Sequence, residues 1–486
     1  MRTTLLAAAL LTSLTACGEL GESAAATTTP PATSDRTAAV DERAFPDDVE
    51  GALSGMNVLL LTLDTTRADF LSCYSTERVG ELTPNLDALA ADGALFENAY
   101  SQTNVTNPSH AAILTGLYGI DSRILNNRTT FPEVSPQTAT LATAFREAGY
   151  STANFLAAPQ LTSDILDMPG FDDEHAGRKH PVAGQVVDDL LGWVDREGSD
   201  GPFFAWAHFY DPHTPYSAPE PYQRRFYEGD PESGTVPPLS KNPHLRRFPV
   251  GAQQFGAVRD ADYPEQMYKA EIAYVDDQIG RVVDGLRERG LLERTAVVVV
   301  ADHGESLGEH QVWFDHFGLH EENLRIPFLV RLPGFPGGVR IDDVVTHVDI
   351  APTFETLFGV TLADGQQRFG LDLSRRLAGQ AERLEQRPFL VHEDAHNRFV
   401  ALRSGRWKYI RTIHLSPPFQ ADEHQLYDLA RDPRERMNLA GRQPELVDKF
   451  ARAVQRWVEQ GKWQVTAQQL SPEQERELEA MGYLGK

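Results

Sequence analysis

Cysteine is scarce in this chain: there are two in 486 residues, Cys17 and Cys73, so no framework of disulfides can staple the fold. Positive charge is also short. Forty-five Lys and Arg stand against 70 Asp and Glu, a formal net charge of -25. That balance repels a phosphate backbone everywhere outside a focused site and excludes duplex nucleic acid as a general partner. No segment offers the ~18 uninterrupted apolar residues that a membrane helix needs, and no internal repeat is visible. What remains, at 41% hydrophobic residues, is ordinary globular material, enough for one large domain and a smaller one, each with a core.

The first cysteine closes "MRTTLLAAALLTSLTACGEL". Arg2 is a short basic start, Leu5 to Leu14 an apolar stretch, and small residues precede Cys17, which is the layout of an export signal. The "LTAC" ending looks like a bacterial lipoprotein box. We therefore expect a signal peptide over 1–17, lipidation at Cys17 and anchoring to the periplasmic or cell-surface face of a bacterial membrane through lipid alone. The plain alternative is a secretory signal with an incidental cysteine. With Cys17 lipidated, Cys73 has no partner and no structural disulfide is expected. Residues 18–54 are rich in Ala, Thr, Ser and Pro and read as a flexible tether.

Beyond the tether, β-branched apolar runs alternate with helical segments. "NVLLLTLD" (Asn57 to Asp64), "PFFAWAHFYD" (Pro202 to Asp211) and "TAVVVVAD" (Thr295 to Asp302) are continuous buried-strand patterns. Between them lie helical stretches that Thr83 and Thr138 are expected to cap and Gly93 and Gly149 to stop, and a long one from Glu265 to Arg289. Strands separated by helices predict an α/β fold with a mostly parallel sheet covered on both faces. After about Thr361 the pieces shorten. A hairpin pattern turning at Ser404-Gly405 and a helix from Pro444 to Gln460 predict a smaller α+β subdomain over 361–486.

In such a sheet, ligands bind beyond the carboxyl ends of the strands. Asp64, Asp302-His303 and Asp211 with His213 close the three apolar strands, and a buried carboxylate there needs a cation or donor. Asp64, Asp302 and His303 make a divalent-cation site; oxygen donors favour Ca, Mg or Mn, and the histidine leaves Zn open. Each Asp taken alone reads as a turn cap. In "TNPSHAAILTG" (Thr106 to Gly116), Asn107 suits the helix N-cap and Pro108 the first turn. Thr106 then stands at a helix N-terminus that favours an anion or alkoxide, or simply helps cap it. His316 and His320 could contact an anion or protonate a leaving group. His208 reads as a core histidine, His310 as exposed, and Asp349 as a cap.

These runs, in this order, resemble the sulfatase family of the alkaline-phosphatase superfamily: "NVLLLTLDTTRADFLSCY", "PSHAAILTGLY", "DPHTPY", "VVVVADHGESLGEH", "EENLRIPFLVRLPG" and, further on, "RSGRWKYI", "LYDLARDPRERMNLA" and the final "MGYLGK". The resemblance implies an alkaline-phosphatase-like α/β/α sandwich, with a catalytic domain over 55–360. It implies one divalent cation on Asp64, Asp302 and His303 with Thr106 alongside, Thr106 at the nucleophile position, and His213 and His316 against the ester's oxygens.

The centre departs from the family. Its C-x-P-S-R or S-x-P-S-R motif, whose first residue becomes formylglycine, is here Thr106-Asn107-Pro108-Ser109-His110, so no formylglycine is expected. A sulfated formylglycine hydrate collapses by eliminating sulfate, whereas a sulfated threonine has no second hydroxyl to drive that step. A phosphorylated threonine can be cleared by water attacking phosphorus. The loop "LYGIDSRILNN" lacks the family's usual His-Gly, leaving Arg123 or Asn126 as replacements. A second metal on Asp211, His213 and His316 would match two-metal phosphodiesterases of the superfamily only loosely. The expected function is metal-dependent hydrolysis of sulfate or phosphate/phosphonate esters by Thr106. The alternative is a catalytically silent binder of sulfated or phosphorylated glycans.

Overall fold

The computed structural model describes residues 48–460 apart from 136, 177–181, 199–200, 381–382, 385–386, 395–396 and 417–419. Cys17, most of the tether and the terminal "MGYLGK" lie outside the described residues. No helix among those described is long and apolar enough to cross a membrane.

Eleven strands in the first part of the chain are β1 (Asn57–Leu63), β2 (Ala94–Tyr100), β3 (Ser151–Leu156), β4 (Asp173–Ala176), β5 (Phe203–Phe209), β6 (Thr295–Ala301), β7 (Ser306–Leu307), β8 (Trp313–Asp315), β9 (Arg325–Ile326), β10 (Phe328–Arg331) and β11 (Val339–Thr346). Nine of them form one sheet in the order β11-β2-β10-β6-β1-β5-β3-β4, with β9 paired to β2; β7 and β8 pair separately. The central trio β6-β1-β5 is parallel and every residue in it is buried. That is why these strands read as unbroken apolar runs rather than alternating ones. The sheet is mixed, because β10 runs antiparallel to both β2 and β6, and β9 to β2.

Neighbouring residues of β5 show the layering. Phe203 meets Trp193 of the helix Ala183–Glu197 at 5.7 Å between ring centroids, while Phe204 stacks on Phe145 of the helix Leu141–Glu147 at 4.8 Å. Successive side chains point to opposite faces of a strand, so helices cover both sides. The helix expected to be capped by Thr138 begins two residues later. Thr140 is its cap, exchanging hydrogen bonds with Thr143 in a reciprocal box, because Thr143 three positions on can return the bond.

The second sheet is antiparallel, in the order β12 (Phe389–Asp394), β13 (Arg398–Ser404), β14 (Trp407–His414), β15 (His424–Asp428). Gly405 takes the positive φ of 56° that the β13–β14 turn requires. One face, with Val400, Leu402 and Leu426, packs on Val447, Phe450 and Val454 of the helix Pro444–Gln460. The other, with Phe399, Ala401 and Tyr427, packs on Tyr100, Leu319 and Leu324 of the main domain.

Two details of this frame are open to test. Asp211 follows β5, buried, and both its carboxyl oxygens accept from Ala183 N at the start of the helix Ala183–Glu197 (3.1 and 2.9 Å). Burial pushes its pKa up to about 7, so the folded state favours the protonated form. Its stabilisation is complete below the unfolded value near 4 and is lost as pH rises through about 7. Urea unfolding is expected to show stability falling by roughly 1–3 kcal/mol between pH 5 and 8 from this group, and Asp211→Asn to flatten that slope. In the loop after β6, Gly304 N donates to Asn323 O at 2.8 Å, and a Cβ on Gly304 would lie 2.0 Å from Glu322 O. Gly304→Ala is expected to lower stability by roughly 1–3 kcal/mol in thermal melts, because the loop must move bodily.

Candidate active site

The parallel registers Leu63↔Ala301 and Leu63↔Phe209 bring the residues that follow β1, β6 and β5 to one edge. There Asp64, Asp302 and His303 are fully buried, and donor atoms of all three lie within 4.8 Å of one another. Thr65, in a left-handed turn at φ 46°, donates its N–H to Asp302 Oδ1 at 3.1 Å, and His303 N donates to the same oxygen at 2.7 Å. The opposite oxygen, Oδ2, lies 3.4 Å from His303 Nε2; both are buried and neither makes a hydrogen bond among the described residues. His303 Nδ1 lies 3.0 Å from Gly304 O, which keeps the proton on Nδ1 and leaves Nε2 as the lone-pair donor.

The two carboxylates titrate apart. Burial works to raise the pKa of Asp64, but His208, His213 and His303 outweigh it and hold that carboxyl well below the usual range. Burial and the Asp64 charge together push Asp302 well up. Burial, reinforced by His316, drives His303 far down, so its imidazole is neutral. Two buried carboxylates, a neutral imidazole and unpaired donor atoms facing one point are a fitting set for a divalent cation.

Thr106 opens the helix Thr106–Thr115, with Val105 in the cap position. The helix therefore starts earlier than the Asn107 cap expected from sequence, because Asn107 turns inward. Its side chain donates to Gln160 O (2.9 Å) and its N–H to Asn127 Oδ1 (2.9 Å). Thr106 Oγ1 is buried and makes no hydrogen bond among the described residues. One turn on, His110 ties this end to the sheet. Its Nδ1 is 2.8 Å from Thr106 O, and its Nε2 is 3.1 Å from Thr62 Oγ1 on β1, which accepts from Trp206 Nε1 at 2.9 Å. Burial, and then His208, keep His110 neutral.

His213 and His316 come together with His303: ring centroids are 4.4 Å apart for His303–His316 and 5.7 Å for His213–His316. His213 Nδ1 faces the Thr214 carbonyl and Tyr210 Oη, so Nε2 is its basic nitrogen. The backbone of His316 is held by Asn104, whose Nδ2 also donates to Glu393 Oε2 (2.8 Å) on β12. Burial pushes Glu393 up to about 8.

Other expectations need correction. Asp211 does not join His213 and His316, since its carboxyl is taken by the helix start at Ala183. His320 stands apart from His316: its ring stacks on His310 at 3.7 Å and its Nδ1 is 3.3 Å from Glu435 Oε2. His310 is partly buried rather than exposed. Asp349 is a cap as expected: it takes the N-cap position of the helix Ile350–Phe358, and its carboxylate closes a capping box on Thr346 N one turn back while also accepting from Leu371 N. Asn126 is spent on Arg128 N and Thr129 Oγ1, while half-buried Arg123 sits at φ 64°. His208 is in the core, yet its Nε2 is 3.5 Å from Asp64 Oδ2 and its ring 5.1 Å from His110. His110, His208, Asn104, Asn127 and Glu393 carry no local sequence signal; only packing across strands reveals them.

Residues 56–360 match the sulfatase family, and residues 308–460 match the C-terminal domain of N-sulphoglucosamine sulphohydrolase. Choline-sulfatase of Rhizobium meliloti is 27% identical over 410 residues, 74% of this chain and 77% of that protein. The multifunctional alkaline phosphatase superfamily protein PehA of Trinickia caryophylli is 27% identical over 484 residues, 79% of this chain and 91% of its own. Phosphonate monoester hydrolases of Agrobacterium radiobacter and Silicibacter pomeroyi share the fold at 22% identity, with TM-scores of 0.65 and 0.67, covering 83% and 84% of this chain and 96% of each of theirs. With the family match running over most of the chain and a cluster of candidate metal ligands at its strand ends, the protein belongs to the sulfatase family of the alkaline-phosphatase superfamily.

Proposed function

We propose that this protein hydrolyses sulfate, phosphate or phosphonate esters with Thr106 as nucleophile, phosphorus esters being favoured. The observation that carries the reading is the buried Thr106 Oγ1, without a hydrogen-bond partner among the described residues, at the head of a helix that His110 fastens to Thr62 on β1, the strand that runs into Asp64. A hydroxyl left without a partner in the interior costs about 1–3 kcal/mol, and a substrate-facing role accounts for it. Relatives named as sulfatases, and solved structures named as phosphonate monoester hydrolases, support the ester class.

A divalent cation (Ca, Mg or Mn, with Zn also fitting the histidine) on Asp64, Asp302, His303 and Thr106 would supply Lewis acidity toward the ester's oxygens and the threonine hydroxyl. The chain's own groups do the rest. Thr106 Oγ gives its proton to His213 or His316 and forms a bond to phosphorus or sulfur as the bond to the leaving alcohol breaks. His213 or His316 gives that alcohol oxygen its proton. Water then attacks phosphorus in the threonine ester, releasing the acid product and restoring the hydroxyl. The N-terminal segment extends the proposal: the protein is exported and held at a bacterial membrane by lipid on Cys17.

Aryl sulfate, phosphate monoester, phosphate diester and phosphonate ester assayed side by side are expected to show turnover of a phosphorus ester. Chelation should abolish it and added divalent cation restore it. Thr106→Ala should lower kcat/KM by more than about 10⁴-fold; turnover surviving in that variant overturns the nucleophile assignment. Mass spectrometry of the mature N-terminus should find a lipid-modified Cys17, and an unmodified one removes the anchor.

A further inference from the structure

One buried side chain joins the three segments that carry the site. Glu305 lies two residues past His303 in the loop after β6 and has no solvent exposure. Its Oε2 accepts from Tyr216 Oη at 2.7 Å. Its Oε1 lies 3.4 Å from Thr214 Oγ1, which donates to Phe314 O on β8 at 3.2 Å. Arg67 Nη1 donates to the Glu305 carbonyl at 3.1 Å and so holds the loop itself. Thr214, Tyr216 and Phe314 are all buried.

The partners of Glu305 are neighbours of the two imidazoles. Thr214 follows His213, and its carbonyl accepts from His213 Nδ1 at 2.5 Å and from Tyr210 Oη at 3.0 Å. The residue that orients the His213 ring is therefore the one whose hydroxyl meets Glu305. Phe314, whose carbonyl receives that hydroxyl, stands two residues before His316 and takes the left-handed φ of 55°. A non-glycine residue persists in that region where its surroundings hold it. The Thr214 bond does so here, with the Phe314 ring packed on Phe255 at 4.7 Å and on Tyr216 at 6.4 Å between centroids. A buried carboxyl costs more than an apolar side chain of its size unless partners offset it. Both side-chain partners of Glu305 come from the His213 loop, 91 and 89 residues away along the chain.

We propose that Glu305 is a positioning residue that holds His213 and His316 at a fixed offset from the Asp64–Asp302–His303 cluster, through Thr214 and Tyr216. The proposal rests on the reading that these imidazoles meet the ester. With the tie at Glu305 cut, Thr214 and Phe314 can shift, and His213 and His316 shift with them. A displacement of about 1 Å at a reacting group lowers the rate by about 100-fold. The loss falls on leaving groups that need a proton: an alkoxide departs as it is protonated, whereas a nitrophenolate departs as the anion.

The test uses the full chain, loaded with divalent cation, and two phosphorus esters that differ in their alcohol, one nitrophenyl and one simple alkyl. Thr214→Val and Glu305→Ala are expected to lower kcat for the alkyl ester by roughly 10–100-fold and for the nitrophenyl ester by less than about threefold. Glu305→Gln, which keeps an oxygen for Tyr216 Oη and an amide for Thr214 Oγ1, should recover most of the loss. In a His213→Ala/His316→Ala background, Thr214→Val should add no further loss on the alkyl ester. Bound cation should stay at the wild-type level in every variant. Unchanged rates, equal losses on both esters, a loss that persists in the double-histidine background, or a loss of cation overturns the proposal. Tyr216→Phe replaces Glu305→Ala if that variant does not fold. Calorimetry of inorganic phosphate binding to the same proteins separates the two readings. If no ester is turned over, yet Thr214→Val weakens phosphate by about tenfold and Glu305→Gln does not, ester hydrolysis falls and the positioning role stands. Unchanged phosphate affinity in Thr214→Val overturns the role.

Discussion

Two carboxylates with no solvent exposure, Asp64 and Asp302, stand side by side at the ends of adjacent parallel strands. Burying one such charge costs several kcal/mol even after relaxation, and a like charge beside it adds to the cost. The surrounding structure answers that cost piece by piece: the N–H groups of Thr65 and His303 on one Asp302 oxygen, His208 beside Asp64, and a loop in which Gly304 lets the chain pass flush against Glu322. Asp302 Oδ2 and His303 Nε2, which make no hydrogen bond among the described residues, mark where a cation's charge would complete the balance.

The helix Thr106–Thr115 is tied into the same arrangement by one residue. Where the family motif has arginine, His110 lies fully buried and bridges the Thr106 carbonyl to Thr62 on β1, with Trp206 of β5 donating to the same hydroxyl. An arginine's charge would have no place among these groups without a new partner. The two departures from the family motif, Thr106 and His110, are thus spatially one change, since His110 lies one turn on and holds the Thr106 carbonyl.

The second sheet also contributes to the site. Glu393 on β12 holds Asn104 and Gly318 N, and Asn104 holds the carbonyl of His316. The position of His316 beside His303 therefore depends on a strand some 75 residues further along the chain. A Glu393 pKa near 8 fits a protonated or strongly hydrogen-bonded carboxyl serving as a structural tie.

The sequence by itself determined the α/β alternation, the three buried strands and the polar residues that close them. Those features are local: strand burial on both faces forces an unbroken apolar run, and a strand's end is visible where that run stops at Asp64 or Asp302. Local signals also located the helix Thr106–Thr115, the final helix from Pro444 and the β13–β14 hairpin, whose turn residues are Gly405 and Arg406 rather than Ser404 and Gly405 because Ser404 still pairs with Trp407. Helix starts were less legible, with Thr140 rather than Thr138 as a cap and Thr106 inside the helix, because a cap is settled by which side chain finds a partner. Only the tertiary structure decided which histidines share a site. His303, His213 and His316 converge, His208 and His110 join beneath them, and His320 leaves for Glu435. The reason is distance along the chain: these meetings depend on strand order and on packing between sheets, and no pattern of neighbouring residues encodes either.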